Sequence, residues 1–110
     1  MINHIRRLLI ILFVPTLAFA GTTGVISIAD SNLQVISSPQ IAYLYVPVTS
    51  GGCTYSTAAV LVMDGTTNPA ANAMYATLLA AKTTGKTVNI TTSGCSAAGY
   101  PIMTSIYFGT

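Results

Sequence analysis

Few side chains of this protein can do chemistry once its amino-terminal segment is set aside. They are two carboxylates, two ammonium groups and two thiols, carried by Asp30, Asp64, Lys82, Lys86, Cys53 and Cys95. Beyond residue 20 the chain has no His, Arg, Glu or Trp. A serine nucleophile needs a base, usually His, and metal sites draw on His, Cys and carboxylates. The composition therefore predicts no catalytic residue, no metal site and no cofactor, and it indicates that the protein is not an enzyme.

The two carboxylates admit one catalytic alternative. Asp30 and Asp64 could act as the acid and base of a glycoside hydrolase. Each aspartate, however, lies in a turn-like context, Ala-Asp-Ser-Asn and Met-Asp-Gly-Thr. Asp in such contexts commonly accepts hydrogen bonds from its own backbone. We interpret both as turn residues, and the hydrolase is the third and least favoured hypothesis.

The first twenty residues have the pattern of a cleavable bacterial signal peptide. Arg6 and Arg7 precede an apolar run that ends in Ala-Phe-Ala before Gly21. This is the order of a positive region, a short apolar region and a small-residue cleavage site. The run is shorter than the roughly 20 apolar residues that span a membrane. We expect residues 1–20 to be removed and residues 21–110 to form one periplasmic or secreted domain without a stable membrane anchor.

Removal of the signal peptide, the leader, changes the net charge, and export changes the expected oxidation state of the cysteines. The formal net charge of +2 comes from the two leader arginines, since two Asp and two Lys remain after residue 20. Nucleic-acid binding is not expected, because phosphate contacts need several Lys or Arg. Cys53 and Cys95 are expected to form a disulfide, because the compartment is oxidising.

The order of periodic segments predicts several strands and one helix. "GVISIA", "LQVIS", "IAYLYVPV" and "TAAVLVM" are β-type runs, and "KTVNITT" and "YPIMTSIYFG" follow later in the chain. Between them, Met74 and Leu78 repeat at helical spacing. This helix should run from Pro69 to Thr83, with Asn68 as its cap and Gly85 at its end. In the last strand, Ile102, Thr104, Ile106 and Phe108 should share one face.

The predicted fold class is mainly β with one α-helix. A single helix cannot cover both faces of a parallel sheet, so the sheet should be mostly antiparallel. We expect a small antiparallel OB-like Greek-key barrel. The alternative is an open α+β antiparallel sheet with one helix.

The helix surface suggests two further interpretations. Lys82 and Lys86 should finish the helix, Lys82 by meeting the negative end of its dipole. The positions turned away from Met74 and Leu78 are small or uncharged, and close approach of a second subunit is possible there. High helix propensity of alanine is the equally weighted explanation. The candidate oligomer-facing positions are Asn72, Ala73, Ala76, Thr77 and Ala80.

The segment from Met74 to Ile90, "MYATLLAAKTTGKTVNI", resembles the helix-turn-strand of bacterial toxin B subunits. With Cys95 and the closing strand it is also similar to small exported bacterial proteins without an assigned activity. The resemblance covers mainly residues 74–108. It implies an OB-fold that assembles as a ring, commonly a pentamer, binds host glycans and accompanies an exported catalytic subunit.

A glycan site in this chain would depend on tyrosines, whose rings offer an apolar face and a hydroxyl. Tyr43 and Tyr45 alternate onto one strand face, Tyr107 lies on the last strand, and Asn89 could add an amide. Ordinary cross-strand packing is the alternative explanation. The favoured function is an exported, self-associating, non-enzymatic binding subunit for a glycan or protein surface. The runner-up is a structural, interaction or inhibitor protein of the bacterial envelope without a sugar site.

Overall fold

The computed structural model describes residues 20–49 and 52–109. The predicted leader lies outside these residues except for Ala20, so its cleavage stays a prediction. The described chain forms six strands and one helix, which we label in chain order. The strands are β1 (Ala20–Ser27), β2 (Leu33–Ile36), β3 (Ile41–Leu44), β4 (Ala59–Val62), β5 (Thr87–Cys95) and β6 (Pro101–Phe108), and the helix is α1 (Ala71–Thr84).

The strands form one mixed sheet in the order β1-β5-β6-β4-β3-β2. All neighbouring strands are antiparallel except β4 and β6, which run parallel and meet at Val60 and Ile102. Within the described residues, β1 and β2 lie at opposite ends of the sheet and do not pair, so the sheet is not closed into a barrel. The predicted OB-like barrel is therefore not observed. The open sheet with one helix is the nearer prediction, although the sheet is mixed rather than antiparallel.

The core lies between α1 and one face of the sheet, which we call the inner face. Leu44, Leu61, Val88 and Ile90 are fully buried there. They pack with the apolar side chains of one helix stripe, Met74, Leu78 and Ala81. This stripe repeats every three or four residues, as expected for one face of a helix. The alternation of β3 and β5 places one face of each strand in this core.

Helix α1 ends as predicted but begins differently. Gly85 has a left-handed backbone (φ 74°), and its amide donates to the carbonyl of Ala81. The prediction of Asn68 as the cap is wrong, because the N-cap is Ala70 and no side chain of the described residues caps it. The side-chain Nδ2 of Asn68 instead donates to the carbonyl of Val62 at 2.9 Å. Asn68 therefore ties the end of β4 to the segment that leads into the helix.

Strand β6 contains an irregularity that changes which residues share a face. Thr91 pairs with Ser105, but the next residue of β5, Thr92, pairs with Met103. Thr104 is the extra residue of a β-bulge, and a bulge shifts the alternation by one position. The prediction that Ile102, Thr104, Ile106 and Phe108 share a face is therefore wrong. Met103 and Ile106 join the core, whereas Ile102 is turned to the other side of the sheet.

Candidate ligand-binding surface

The face of the sheet opposite the helix, the outer face, carries the candidate site. In β3, Ala42 and Leu44 are buried in the core, so Ile41 and Tyr43 point away from it. Val60 and Val62 of β4 lie beside them, since Tyr43 pairs with Val60 and Ile41 with Val62. The alternation of β3 thus presents a tyrosine and aliphatic side chains together on the outer face.

Four tyrosines on this side form a continuous series of ring contacts, which we call the tyrosine surface: Tyr45, Tyr43, Tyr100 and Tyr55. The ring centroids of Tyr45 and Tyr43 are 6.1 Å apart and stacked. Tyr43 meets Tyr100 edge to face at 5.4 Å, and Tyr100 stacks on Tyr55 at 4.8 Å. Tyr45 and Tyr55 are exposed. The structure thus brings together Tyr43 and Tyr45, the predicted binding pair, and adds two rings.

The added tyrosines come from two loops that the disulfide joins. Cys53 and Cys95 are bonded, with Cα atoms 5.5 Å apart, which confirms the predicted pairing. Tyr55 follows the first cysteine, and its amide donates to the carbonyl of Gly99 at 2.9 Å. Tyr100 follows Gly99 directly. The bridge therefore positions both rings beside β3, and the disulfide indicates a non-reducing compartment.

Gly99 is a backbone requirement of this arrangement. Its φ is 94°, a left-handed conformation that side chains disfavour. A Cβ atom at this position would lie 2.8 Å from Cβ of Thr54 and 3.4 Å from the Tyr55 ring. The glycine therefore allows the two loops to approach closely enough for Tyr55 and Tyr100 to stack.

A groove of about 520 Å³ adjoins the tyrosine surface, and Tyr43 belongs to both. Small-molecule sites commonly have volumes of roughly 300–1,000 Å³ and mainly apolar walls. None of the residues that line this groove is charged. We call it the aliphatic groove. It is lined by Ile36, Ser38, Pro39, Ile41, Tyr43, Val60, Val62, Ser96, Ala97, Ala98 and Ile102.

The other two predicted binding residues lie elsewhere on the sheet. Asn89 pairs with Tyr107 across β5 and β6, and its side-chain oxygen accepts a hydrogen bond from the hydroxyl of Thr22 at 3.1 Å. Tyr107 is 51% exposed. Strands β4 and β6 separate β5 from β3 in the sheet. The structure thus brings Asn89 and Tyr107 together, but it does not place them in the ring contacts of Tyr43 and Tyr45.

Sequence reasoning missed Tyr55 and Tyr100, although a signal for them existed. Tyr55 lies two positions after Cys53, and Tyr100 lies five positions after Cys95. Pairing of the cysteines brings the loops that carry these tyrosines together. The predicted disulfide thus indicated that the two loops are neighbours, but it did not indicate that their tyrosine rings stack on each other.

Asp64 has structural contacts outside this surface. The carboxylate of Asp64 accepts hydrogen bonds from the amide and hydroxyl of Thr66 and from the hydroxyl of Thr67. The bonds from Thr66, with a smaller contribution from Thr67, lower the pKa of Asp64 below its usual range. This agrees with the interpretation of Asp64 as a turn residue.

In the predicted oligomer-facing set, Asn72, Ala73, Ala76 and Ala80 are exposed and Thr77 is partly exposed.

Neither a metal-binding cluster nor a membrane-spanning helix is found in the described residues, 20–49 and 52–109. They contain no cluster of three or more His, Cys, Asp or Glu side chains that could hold a metal ion. They also contain no helix of the length and hydropathy that a membrane crossing requires. Among known proteins, no family model, curated protein or solved structure matches this chain.

Proposed function

We propose that the protein is an exported, self-associating, non-enzymatic binding subunit that recognises a neutral glycan through its tyrosine surface. The observation that carries the proposal is the continuous ring series of Tyr45, Tyr43, Tyr100 and Tyr55 with exposed members at both ends. Aromatic rings offer apolar faces to the C–H surface of a sugar, and their hydroxyls offer hydrogen bonds.

The electrostatics of the surface support a neutral ligand. Neither the four tyrosines nor the lining of the aliphatic groove includes a charged side chain. The Tyr45 hydroxyl donates to the side-chain oxygen of Gln34 at 2.8 Å, which orients the ring at one end of the series. A charged sugar would lose hydration here without gaining an ion pair. A neutral oligosaccharide loses less hydration, because its hydroxyls stay partly solvated while its rings stack on the tyrosines.

The test first identifies, on an array of neutral oligosaccharides, the one that the wild type binds most tightly. The wild type and variants at two exposed tyrosines are then titrated with that oligosaccharide. Tyr45→Ala removes one end of the tyrosine surface, and Tyr107→Ala is the control, since Tyr107 is also exposed but lies on β6. An aromatic contact contributes about 0.5–1.5 kcal/mol, so Tyr45→Ala should weaken binding about 2- to 10-fold. Tyr107→Ala should bind like the wild type. Equal losses in both variants, or no retained oligosaccharide, would contradict the proposal.

The aliphatic groove favours the second candidate, an envelope interaction or inhibitor protein without a sugar site. Its walls are mainly Ile, Val and Ala side chains, which suit an apolar side chain of a protein partner better than a sugar. In that case Ile41→Ser should abolish partner capture, whereas Tyr45→Ala should leave it largely intact. Crosslinking in the native envelope with both variants separates this candidate from the glycan-binding subunit.

A further inference from the structure

The two ends of the sheet differ in how their backbone edges are protected. At the β1 end, the chain after β3 returns and pairs with the edge at Thr22. Thr22 and Thr49 exchange two backbone hydrogen bonds, of 3.0 and 2.9 Å. The pairing of β1 is also irregular between Thr22 and Val25, where the amide of Gly24 bonds to the Thr22 hydroxyl. Covering segments and bulges of this kind are devices that prevent strand addition.

Within residues 20–49 and 52–109, the β2 end has neither a covering segment nor a bulge. Its four residues, Leu33 to Ile36, pair with β3 in unbroken register. The strand contains neither a charged residue nor proline, which are the usual edge-blocking residues. Val35 is 55% exposed. In the described part of the chain, β2 has a neighbour on one side only.

The hydrogen-bond pattern shows which backbone groups β2 leaves at its free edge. The amide of Tyr45 donates to the carbonyl of Asn32, which makes these two residues a hydrogen-bonded pair. Along an antiparallel ladder such pairs alternate with pairs whose backbone groups point away. Gln34 and Ile36 therefore bond to β3, while Leu33 and Val35 direct their N–H and C=O groups outward.

We propose that β2 pairs antiparallel with β2 of a second copy of this chain, about a two-fold axis at Gln34. This inference rests on the self-association in the proposed function and gives it a surface and a symmetry. Leu33 of one copy then faces Val35 of the other, and the outward groups of both residues are satisfied on both chains. Gln34 faces its own counterpart. Slipping the register by one residue would set outward-facing groups against groups already bonded to β3.

Two properties of β2 favour a second copy over a different partner. The edge is uncharged, so two identical edges bring no like charges together, and repulsion of that kind normally keeps identical edges apart. An isologous contact about a two-fold axis also closes on itself and leaves no further edge of the same kind. A head-to-tail ring would instead need the β1 edge, where Thr22 is already paired with Thr49. The sheet edges therefore predict a dimer rather than a pentamer.

The dimer would join the two ligand-binding surfaces. Gln34 lies at the axis and accepts the hydrogen bond from the Tyr45 hydroxyl, so each tyrosine surface begins beside the contact between the two β2 strands. Both surfaces would lie on the outer face of one continuous sheet. A branched or repeating glycan could then engage both, and linked sites of this kind gain avidity without any new contact.

The first test measures solution mass by light scattering on a sizing column. The wild type should be a dimer. Val35→Lys places a charge at the pairing edge and should weaken the dimer by at least tenfold. Val25→Lys is the matched control, because Val25 is 52% exposed on the opposite edge strand, and this variant should stay dimeric. A wild-type monomer across micromolar concentrations, or an oligomer that survives Val35→Lys unchanged, would overturn the proposal.

The second test uses disulfide formation across the axis. Residues facing each other in a non-hydrogen-bonded pair have Cα atoms about 4.5 Å apart, which a disulfide can span. Gln34→Cys should form covalent dimers rapidly. Gln40→Cys, also exposed but beyond the strand, should not. Equal rates for both variants would count against the two-fold axis.

A titration separates this proposal from the glycan proposal. A short oligosaccharide that fits one tyrosine surface should bind Val35→Lys as tightly as it binds the wild type. Loss of the dimer with this binding intact supports both proposals. A wild-type dimer that binds no glycan supports the β2 contact and contradicts only the proposal of a glycan site.

Discussion

Lys82 joins the last turn of the helix to the turn between β1 and β2. Its ammonium donates to the carbonyls of Ala29 and Ser31 at 3.0 and 2.6 Å. The sequence predicted a cation at the helix terminus but did not indicate these carbonyls, which are about fifty residues away in the chain. Lys82 thus holds the turn immediately before β2, the strand that we expect to form the dimer.

Replacing the two lysines separates this contact from a general charge effect. Lys82→Met should lower the free energy of unfolding by about 1–3 kcal/mol, because two carbonyls lose a charged donor. Lys86→Met should cost less, about 0.5–1 kcal/mol, since the Lys86 ammonium lies 5.5 Å from the Phe108 ring centroid at an exposed site. Urea denaturation of both variants measures the difference. Equal losses would mean that the Lys82 contact contributes nothing specific.

At the scale of elements, the contact between β1 and the segment after β3 depends on a glycine. A Cβ atom at Gly21 would collide with the carbonyl of Thr49 and would lie 2.6 Å from the hydroxyl oxygen of Thr92. The same segment pairs with the β1 edge at Thr22. The glycine is therefore required for the close packing that distinguishes the two ends of the sheet.

A pair of glycine substitutions tests this role. Gly21→Ala should destabilise the protein by about 1–3 kcal/mol, because the methyl group forces the backbones apart. Gly65→Ala is the control, since a Cβ atom there meets no other atom within 4 Å. Thermal unfolding of both variants gives the comparison. If Gly21→Ala is as stable as Gly65→Ala, Thr49 does not pack on β1 as described.

Local features of the strands and the helix could be predicted from the sequence, but the pairing between distant strands could not. Alternation placed Tyr43 and Tyr45 on one strand face, and Gly85 located the helix end. The bulge at Thr104 was not predictable, because it depends on the pairing of β6 with β5 and not on the composition of β6. The strand order, and with it the open sheet, depends equally on contacts between distant segments. For the same reason the tyrosine surface was only half predicted: β3 supplies two rings by local alternation, and distant loops supply the others.

For the whole molecule, the disulfide connects stability to the proposed site. It closes a loop of 42 residues, and the chain-entropy argument assigns about 4 kcal/mol to such a loop. Replacing both Cys53 and Cys95 by serine should lower the free energy of unfolding by about this amount. It should also weaken ligand binding, because the loops that carry Tyr55 and Tyr100 lose their link. Denaturation and ligand titration of the double variant measure both effects, and unchanged affinity would show that the loops hold the rings without the bridge.

In the function that we propose, the ligand binds at the tyrosine surface. The most direct measurement is a nuclear magnetic resonance titration of the ¹⁵N-labelled protein, from residue 21 onward, with the best neutral oligosaccharide. We predict that the perturbed amides cluster around Tyr43, Tyr45, Tyr55 and Tyr100. Perturbations centred on Asn89 and Tyr107, or no saturable change with any oligosaccharide, would contradict the account.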